Sequence, residues 1–190
     1  MTHRNQIILS QLTPPAQKSS ILDRPRVLRL LKQSLDYTLT TLVTETGYGK
    51  TTSALSLIKS TQLPFFWYTV SRNERDPRLF LTYLCSAFNQ QGYRIGLPAL
   101  RVLEDSDVDL QECLVTLLNS LASLLDGEAL FVMDDFQSLN GSDEILGMMN
   151  WFIEHLPANL HVMILSRTQP EFPSINKWRV KGRLLEIDKE

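Results

Sequence analysis

A glycine-containing segment carries residue types that bind phosphate. Residues 44–52 read Thr-Glu-Thr-Gly-Tyr-Gly-Lys-Thr-Thr, between a predicted strand and a predicted helix. Glycines let backbone N–H groups approach a phosphate closely, and the helix start adds its positive end. Lys50 can reach the β- and γ-phosphates, and the Thr51 hydroxyl can ligate Mg²⁺. The segment therefore predicts a nucleotide phosphate site made by Thr46, Gly47, Tyr48, Gly49, Lys50, Thr51 and Thr52.

This segment departs at one position from the strict phosphate-loop pattern G-x-x-x-x-G-K-[ST]. Thr44 stands where that pattern has its first glycine. The motif alone therefore leaves an alternative open, in which the glycines form a tight turn and Lys50 is simply solvated.

A pair of carboxylates follows a short apolar run further along the chain. Residues 129–133 are all apolar and are followed by Asp134 and Asp135, a pattern typical of a strand buried on both faces. A carboxylate at such a strand end can hold Mg²⁺ beside a triphosphate, which is the role predicted for Asp134. A second carboxylate can deprotonate a water, and Asp135 is the candidate catalytic base. Taken alone, two such residues are more often a turn or a helix cap.

A guanidinium follows a second buried strand. The predicted strand 160–165 has an apolar run at 162–165 and is followed by Ser166 and Arg167. Open α/β sheets bind ligands at the carboxyl ends of their strands, so Arg167 could contact the γ-phosphate there. Lys50 and Arg167 are therefore candidate catalytic residues beside Asp135; an ion-paired surface arginine is the alternative for Arg167.

Helices and strands alternate along almost the whole chain, as hydrophobic periodicity and turn residues indicate. Residues 90–107 are interrupted by Gly92, Gly96 and Pro98 and are predicted as a loop with at most a short helical turn. The alternation predicts a doubly wound, mainly parallel α/β sheet. The predicted helices span 26–35, 51–59, 77–89, 110–125 and 143–155, and the predicted strands span 39–44, 65–70, 129–133, 160–165 and 184–187.

Length and composition exclude several classes of function. The 190 residues suit one domain, and 19 Lys plus Arg against 21 Asp plus Glu give a net charge of -2. That balance predicts neither direct nucleic-acid binding nor attraction to an anionic membrane. No apolar run of about 18 residues occurs, so we expect a cytoplasmic chain. Cys85 and Cys113 lack the spacing of a zinc or redox motif and are predicted to be reduced core thiols.

Together these residues resemble one family of signalling proteins. The chain is similar to the nucleotide-binding domain of the MalT-like ATP-dependent transcriptional activators of the LuxR family, within the STAND class of P-loop ATPases. The family's phosphate loop also commonly lacks the first glycine, so Thr44 fits it. Arg72 and Arg75 depart from it, because that stretch is usually more acidic. The matching segments are 8–15, 23–28, 46–52, 67–68, 76–80, 134–136, 155–170 and 184–187.

The resemblance implies a fold and a domain arrangement. It implies a three-layer P-loop NTPase fold with a mainly parallel five-stranded sheet in the order 5-1-4-3-2. Residues 1–190 would form a single nucleotide-binding domain, with 1–22 as an extended lead-in anchored by Ile7, Ile8 and Leu9. Arg24 and Pro25 would contact the base and ribose. A winged-helix segment, helical sensor repeats and an output domain would follow, so we expect the chain to be truncated before them.

The resemblance also implies a function. The leading hypothesis is an ATP/ADP-binding switch with slow, Mg²⁺-dependent ATP hydrolysis, taken from a transcriptional regulator. Its expected partners are the nucleotide, the C-terminal domains of the parent protein and further copies of itself assembled in response to ATP. The alternative is a nucleotide-binding scaffold or adaptor of a signalling or defence assembly without significant turnover. A metabolic P-loop kinase is disfavoured, because no lid-like arginine-rich segment is evident.

Overall fold

One parallel sheet forms the centre of the molecule. The computed structural model describes residues 7–16 and 25–188. Within them the sheet has the order β2-β3-β4-β1-β5, and each neighbouring pair of strands is parallel. Read from the other edge, this is the predicted order 5-1-4-3-2. The strands are β1 (Leu39–Val43), β2 (Phe65–Thr69), β3 (Ala129–Asp134), β4 (Leu160–Ser166) and β5 (Leu184–Ile187).

Helices connect the strands, as parallel pairing requires. Asp76 accepts a hydrogen bond from the Leu79 N–H at 2.7 Å and so caps α3, and Asp109 caps α5 through the Gln111 N–H at 3.0 Å. The helices are α1 (Pro25–Lys32), α2 (Lys50–Thr61), α3 (Pro77–Ala87), α4 (Leu97–Val102), α5 (Leu110–Leu124), α6 (Asp143–Glu154) and α7 (Ile175–Val180), with 3-10 turns at Leu9–Gln11, Gln33–Asp36 and Phe136–Leu139.

Two apolar cores cover the two faces of the sheet. Side chains alternate along a strand, so Phe66 and Tyr68 of β2 point into one core and Trp67 into the other. The larger core also contains residues of α3, α5 and α6, and the smaller one contains Leu31 of α1 and Leu57 of α2. The molecule is therefore a three-layer α/β fold, as predicted.

Several element boundaries differ from the sequence prediction. The segment 90–107, predicted as a loop with at most a short helical turn, contains the six-residue helix α4, because Pro98 fits the first turn of a helix. Gly96 precedes it and packs so closely on α3 that an added Cβ would lie 1.8 Å from the Cys85 carbonyl oxygen. The predicted helix 26–35 changes to a 3-10 turn after Lys32. Helix α7 and the 3-10 turn Phe136–Leu139 carry no prediction at all.

The lead-in is described only at residues 7–16; Arg24 and the remainder of 1–22 lie outside the described residues. Of the predicted anchor Ile7, Ile8 and Leu9, only Ile7 is confirmed, because it packs against the larger core. The prediction is wrong for Ile8 and Leu9, whose side chains are 58% and 69% exposed. The residue buried there is Leu12, and the Ile8 N–H donates to the Tyr83 hydroxyl at 3.1 Å. The 3-10 turn Leu9–Gln11 interrupts the predicted extended conformation, and it turns Leu12 into the larger core.

The two cysteines confirm their prediction as core thiols. Cys85 of α3 and Cys113 of α5 are both buried and free, and their sulfur atoms lie 3.6 Å apart. They contribute to the packing of α3 against α5, on the face of the sheet away from α2.

Candidate functional site

The turn between β1 and α2 has the geometry that its glycines predict. Gly47 has φ +89° and Gly49 has φ +82°, a backbone region that L-residues with a Cβ rarely adopt. A Cβ at Gly47 would meet no atom within 4 Å, so backbone conformation rather than space requires glycine there. Thr44 has no such requirement: its N–H donates to the Ser166 carbonyl at 3.2 Å and continues the pairing of β1 with β4. A threonine is therefore compatible with this first position.

Lys50 begins α2 and folds back over the turn. Its Nζ donates to the carbonyl oxygens of Thr44 at 2.6 Å and Glu45 at 3.1 Å. Burial lowers the pKa of Lys50; the attraction of Asp134 opposes this effect, and the repulsion of Arg167 adds to it. The lysine is thus a cation held over the loop by neutral carbonyl groups, which a phosphate could replace as its partners.

Thr51 and Asp134 join the start of α2 to the end of β3. The Thr51 hydroxyl donates to Asp134 Oδ2 at 2.7 Å, and the Asp134 residue is only 7% exposed. Burial raises the pKa of Asp134, whereas the hydrogen bonds from the Thr51 hydroxyl and the Asp135 N–H act in the opposite direction. A hydroxyl beside a buried carboxylate is the hard-oxygen donor set that Mg²⁺ takes, so these two residues fit the ion.

Asp135 follows β3 in a left-handed backbone conformation, with φ +55° and ψ +34°. Such a conformation is uncommon for a residue other than glycine, and strained residues concentrate at functional sites. Its carboxylate lies 3.7 Å from an Nη of Arg167 and accepts a hydrogen bond from the Gln137 side-chain amide at 2.9 Å. The turn therefore presents the carboxylate beside the end of β4.

A cleft of about 390 Å³ opens at the carboxyl ends of β2, β3 and β4. Asp135 and Arg167 lie in its wall, and so do two residues that no sequence motif predicts as functional, Arg72 and Gln137. In the sequence, Arg72 is only a departure from the family pattern. Nothing in the type of Gln137 or in its spacing marks it as functional, because its contacts depend on the turn after β3.

The structure brings five of the predicted residues to one edge of the sheet. Lys50 and Thr51 begin α2, Asp134 and Asp135 end and follow β3, and Arg167 follows β4. Thr46, Tyr48 and Thr52 are exposed in the turn and the first turn of α2, and Pro25 is the first residue of α1. In residues 7–16 and 25–188, no helix is both long and apolar enough to cross a membrane.

Comparisons with known proteins agree with this architecture. The family model described as an AAA domain matches residues 33–172. The chain is 30% identical over 183 residues to the HTH-type transcriptional regulator MalT of Vibrio cholerae, covering 96% of this chain and 20% of that protein. It is 31% identical over 188 residues to MalT of Yersinia pestis, covering 95% and 20%. The chain thus spans about a fifth of the length of these curated relatives.

Among solved structures, a Walker-type ATPase of Pyrococcus abyssi matches with a TM-score of 0.53 and 22% identity, over 84% of this chain and 49% of that one. This likeness shows a shared P-loop NTPase fold. Together with the similarity to MalT, it confirms the resemblance to MalT-like nucleotide-binding domains.

Proposed function

The chain belongs to the AAA domain family, and from this membership we propose that it is a switch module that binds ATP and ADP with Mg²⁺ and hydrolyses ATP slowly. The observation that carries the proposal is the hydrogen bond between Thr51 and Asp134, 83 residues apart in sequence. This bond joins the phosphate turn to the carboxylate at the carboxyl end of β3, which is the arrangement that P-loop enzymes use.

Nucleotide binding would use the turn and its lysine. Backbone N–H groups of residues 46–52 surround the phosphates at the start of α2, where the helix dipole favours negative charge. Lys50 exchanges the carbonyls of Thr44 and Glu45 for oxygens of the β- and γ-phosphates. Arg24 and Pro25 remain the candidates for the base and ribose.

Thr51 and Asp134 would hold the metal. Their oxygens are already adjacent, and Asp134 is kept from solvent by burial. When bound there with the nucleotide, Mg²⁺ neutralises charge on the β- and γ-phosphate oxygens.

Hydrolysis would take place against the cleft. Asp135 accepts a proton from a water whose oxygen attacks the γ-phosphorus, while the bond from that phosphorus to the β,γ-bridging oxygen breaks. The electron pair of that bond leaves with ADP, and the proton is released with phosphate. Arg167 contacts the γ-phosphate and loses that contact after hydrolysis, so it distinguishes the two nucleotides.

The switch would act on the rest of a larger regulator. Its relatives are several times longer, so the proposed parent protein carries further C-terminal domains. The γ-phosphate adds charge and metal contacts that can bias a two-state arrangement of those domains, with ADP favouring the resting state and ATP favouring self-association. We place this module in the cytoplasm, as expected for transcriptional regulation, with DNA binding left to another domain.

Calorimetry with ADP and ATP in the presence of Mg²⁺ tests the proposal. We expect saturable binding by the native chain, lost in Lys50→Ala and retained in Lys59→Ala, which removes an exposed lysine from the last turn of the same helix. Equal binding by native and Lys50→Ala protein would refute the phosphate assignment. Binding without release of phosphate from ATP would favour the scaffold alternative.

A further inference from the structure

The turn after β3 holds one more polar side chain against the proposed catalytic base. Gln137 lies in the 3-10 turn Phe136–Leu139, whose two end residues are fully buried. Phe136 packs on Phe172 with ring centroids 5.3 Å apart. The turn is thus fixed to the larger core on one side, while Gln137 lines the cleft on the other.

Gln137 makes three side-chain hydrogen bonds that link the end of β3 to the end of β4, and the longest is accepted by Oε1 from the Ser166 hydroxyl at 3.5 Å. Its Nε2 donates to Asp135 Oδ1 at 2.9 Å, and its Oε1 accepts from the backbone N–H of Arg167 at 3.0 Å. The second bond determines which end of the amide faces Asp135, because only the NH₂ group can donate to a carboxylate. A backbone N–H therefore orients Gln137, and Gln137 in turn orients Asp135.

Arg167 holds the same carboxylate less firmly. The nearest nitrogen is 3.7 Å from Asp135 Oδ1, and the two side chains are 48% and 42% exposed. Ion pairs this exposed are weak, so an arriving γ-phosphate can take the guanidinium away from Asp135. The backbone N–H of Arg167 stays in place when its side chain moves, and so does the bond from Gln137.

We propose that Gln137 is a positioning residue for ATP hydrolysis, holding the Asp135 carboxylate toward the cleft while the Arg167 side chain engages the γ-phosphate. This inference rests on the proposed ATPase function. An amide suits the task, because its NH₂ group can donate to the carboxylate while its oxygen accepts from the backbone.

Two variants separate this role from simple packing. Gln137→Met keeps the length of the side chain and removes all three of its hydrogen bonds. Gln137→Glu keeps an acceptor for the Arg167 N–H but loses the donor to Asp135 and adds a like charge. Gln111→Met is the matched control: Gln111 lies on α5 away from the cleft, and its side chain makes no hydrogen bond with any described residue.

Single-turnover release of labelled γ-phosphate gives the rate for each protein, and calorimetry gives its affinity for ATP. We expect both Gln137 variants to hydrolyse about tenfold more slowly, with affinity unchanged within about twofold, because misplacing a reacting group by an ångström costs up to about 100-fold. The control should match the native protein.

A double variant tests whether Gln137 acts through Asp135. Gln137→Met should not slow Asp135→Asn further, because the carboxylate that it positions is already gone. If the two substitutions lower the hydrolysis rate by factors that multiply in the double variant, or if Gln137→Met hydrolyses ATP at the native rate, the positioning role is overturned while the ATPase proposal stands. A folded native protein that binds ATP without releasing phosphate would overturn the ATPase proposal itself, and the positioning role with it.

Discussion

Replacing Thr51 with valine tests the bond at the centre of the candidate site. Valine has nearly the same shape and is also β-branched, so the change removes the hydroxyl and little else. The hydroxyl donates to Asp134 Oδ2 at 2.7 Å, and Asp134, the last residue of β3, is buried beside the start of α2. Without it, that carboxylate oxygen loses its side-chain donor in a place that water reaches poorly.

The expected loss follows from the charge of the acceptor. A hydrogen bond to a charged group contributes about 1.5–3 kcal/mol, so Thr51→Val should lower the free energy of unfolding by about 2 kcal/mol at neutral pH. For a domain of about 150–250 residues, each kcal/mol corresponds to roughly 2–4 °C in Tm. The midpoint should therefore fall by about 4–8 °C in the absence of nucleotide.

This loss should depend on pH in a defined direction. Burial already raises the pKa of Asp134, and the Thr51 hydroxyl opposes that rise, so the variant's folded pKa should be higher still. An acid with a raised folded pKa destabilises the fold while ionised. The difference in unfolding free energy between the native protein and the variant is therefore largest above the Asp134 pKa of the folded variant. It shrinks as the pH falls toward the Asp134 pKa of the folded native protein.

Thermal unfolding followed by circular dichroism across that pH range measures the effect. Thr51→Ser keeps the hydroxyl and should retain most of the stability. Thr52→Val is the matched control, since Thr52 is exposed and adjacent on the same turn of α2. An equal fall in Tm for Thr51→Val and Thr52→Val would refute the reasoning. So would a difference in stability between the native protein and Thr51→Val that grows as the pH falls.

Three further substitutions have definite expectations. Asp135→Asn should lower ATP hydrolysis by about 100-fold or more and leave ATP affinity nearly unchanged, as expected for loss of a general base; equal phosphate release in both proteins would remove Asp135 from that role. Gly49→Ala should lower the free energy of unfolding by about 1–2 kcal/mol because its φ is +82°. Gly147→Ala should instead raise the free energy of unfolding, because Gly147 lies inside α6 and the added Cβ would meet no atom within 4 Å. Urea titrations measure both variants, and a lower free energy of unfolding in each of them would contradict the conformational argument.

The order of the elements could be read from the sequence because their patterns are local. Strands buried on both faces, such as 129–133 and 160–165, contain short apolar runs, and Asp76 and Asp109 mark helix starts by side-chain caps. The sheet order came from the family resemblance rather than from periodicity. The exceptions are short: α4 and α7 have six residues each, too few for a periodic pattern, and packing on the larger core stabilises them.

Residue chemistry in the sequence alone determined the candidate phosphate turn, the acidic pair after β3 and the arginine after β4, because each lies within a few consecutive residues. Tertiary structure decided how they meet. The pairing of β4 between β1 and β3 brings Arg167 to Asp135, and the contact of α2 with β3 places Thr51 on Asp134. Gln137 had no signal in the sequence, because the groups that its side chain bonds become neighbours only when parallel strands bring their carboxyl ends to the same edge.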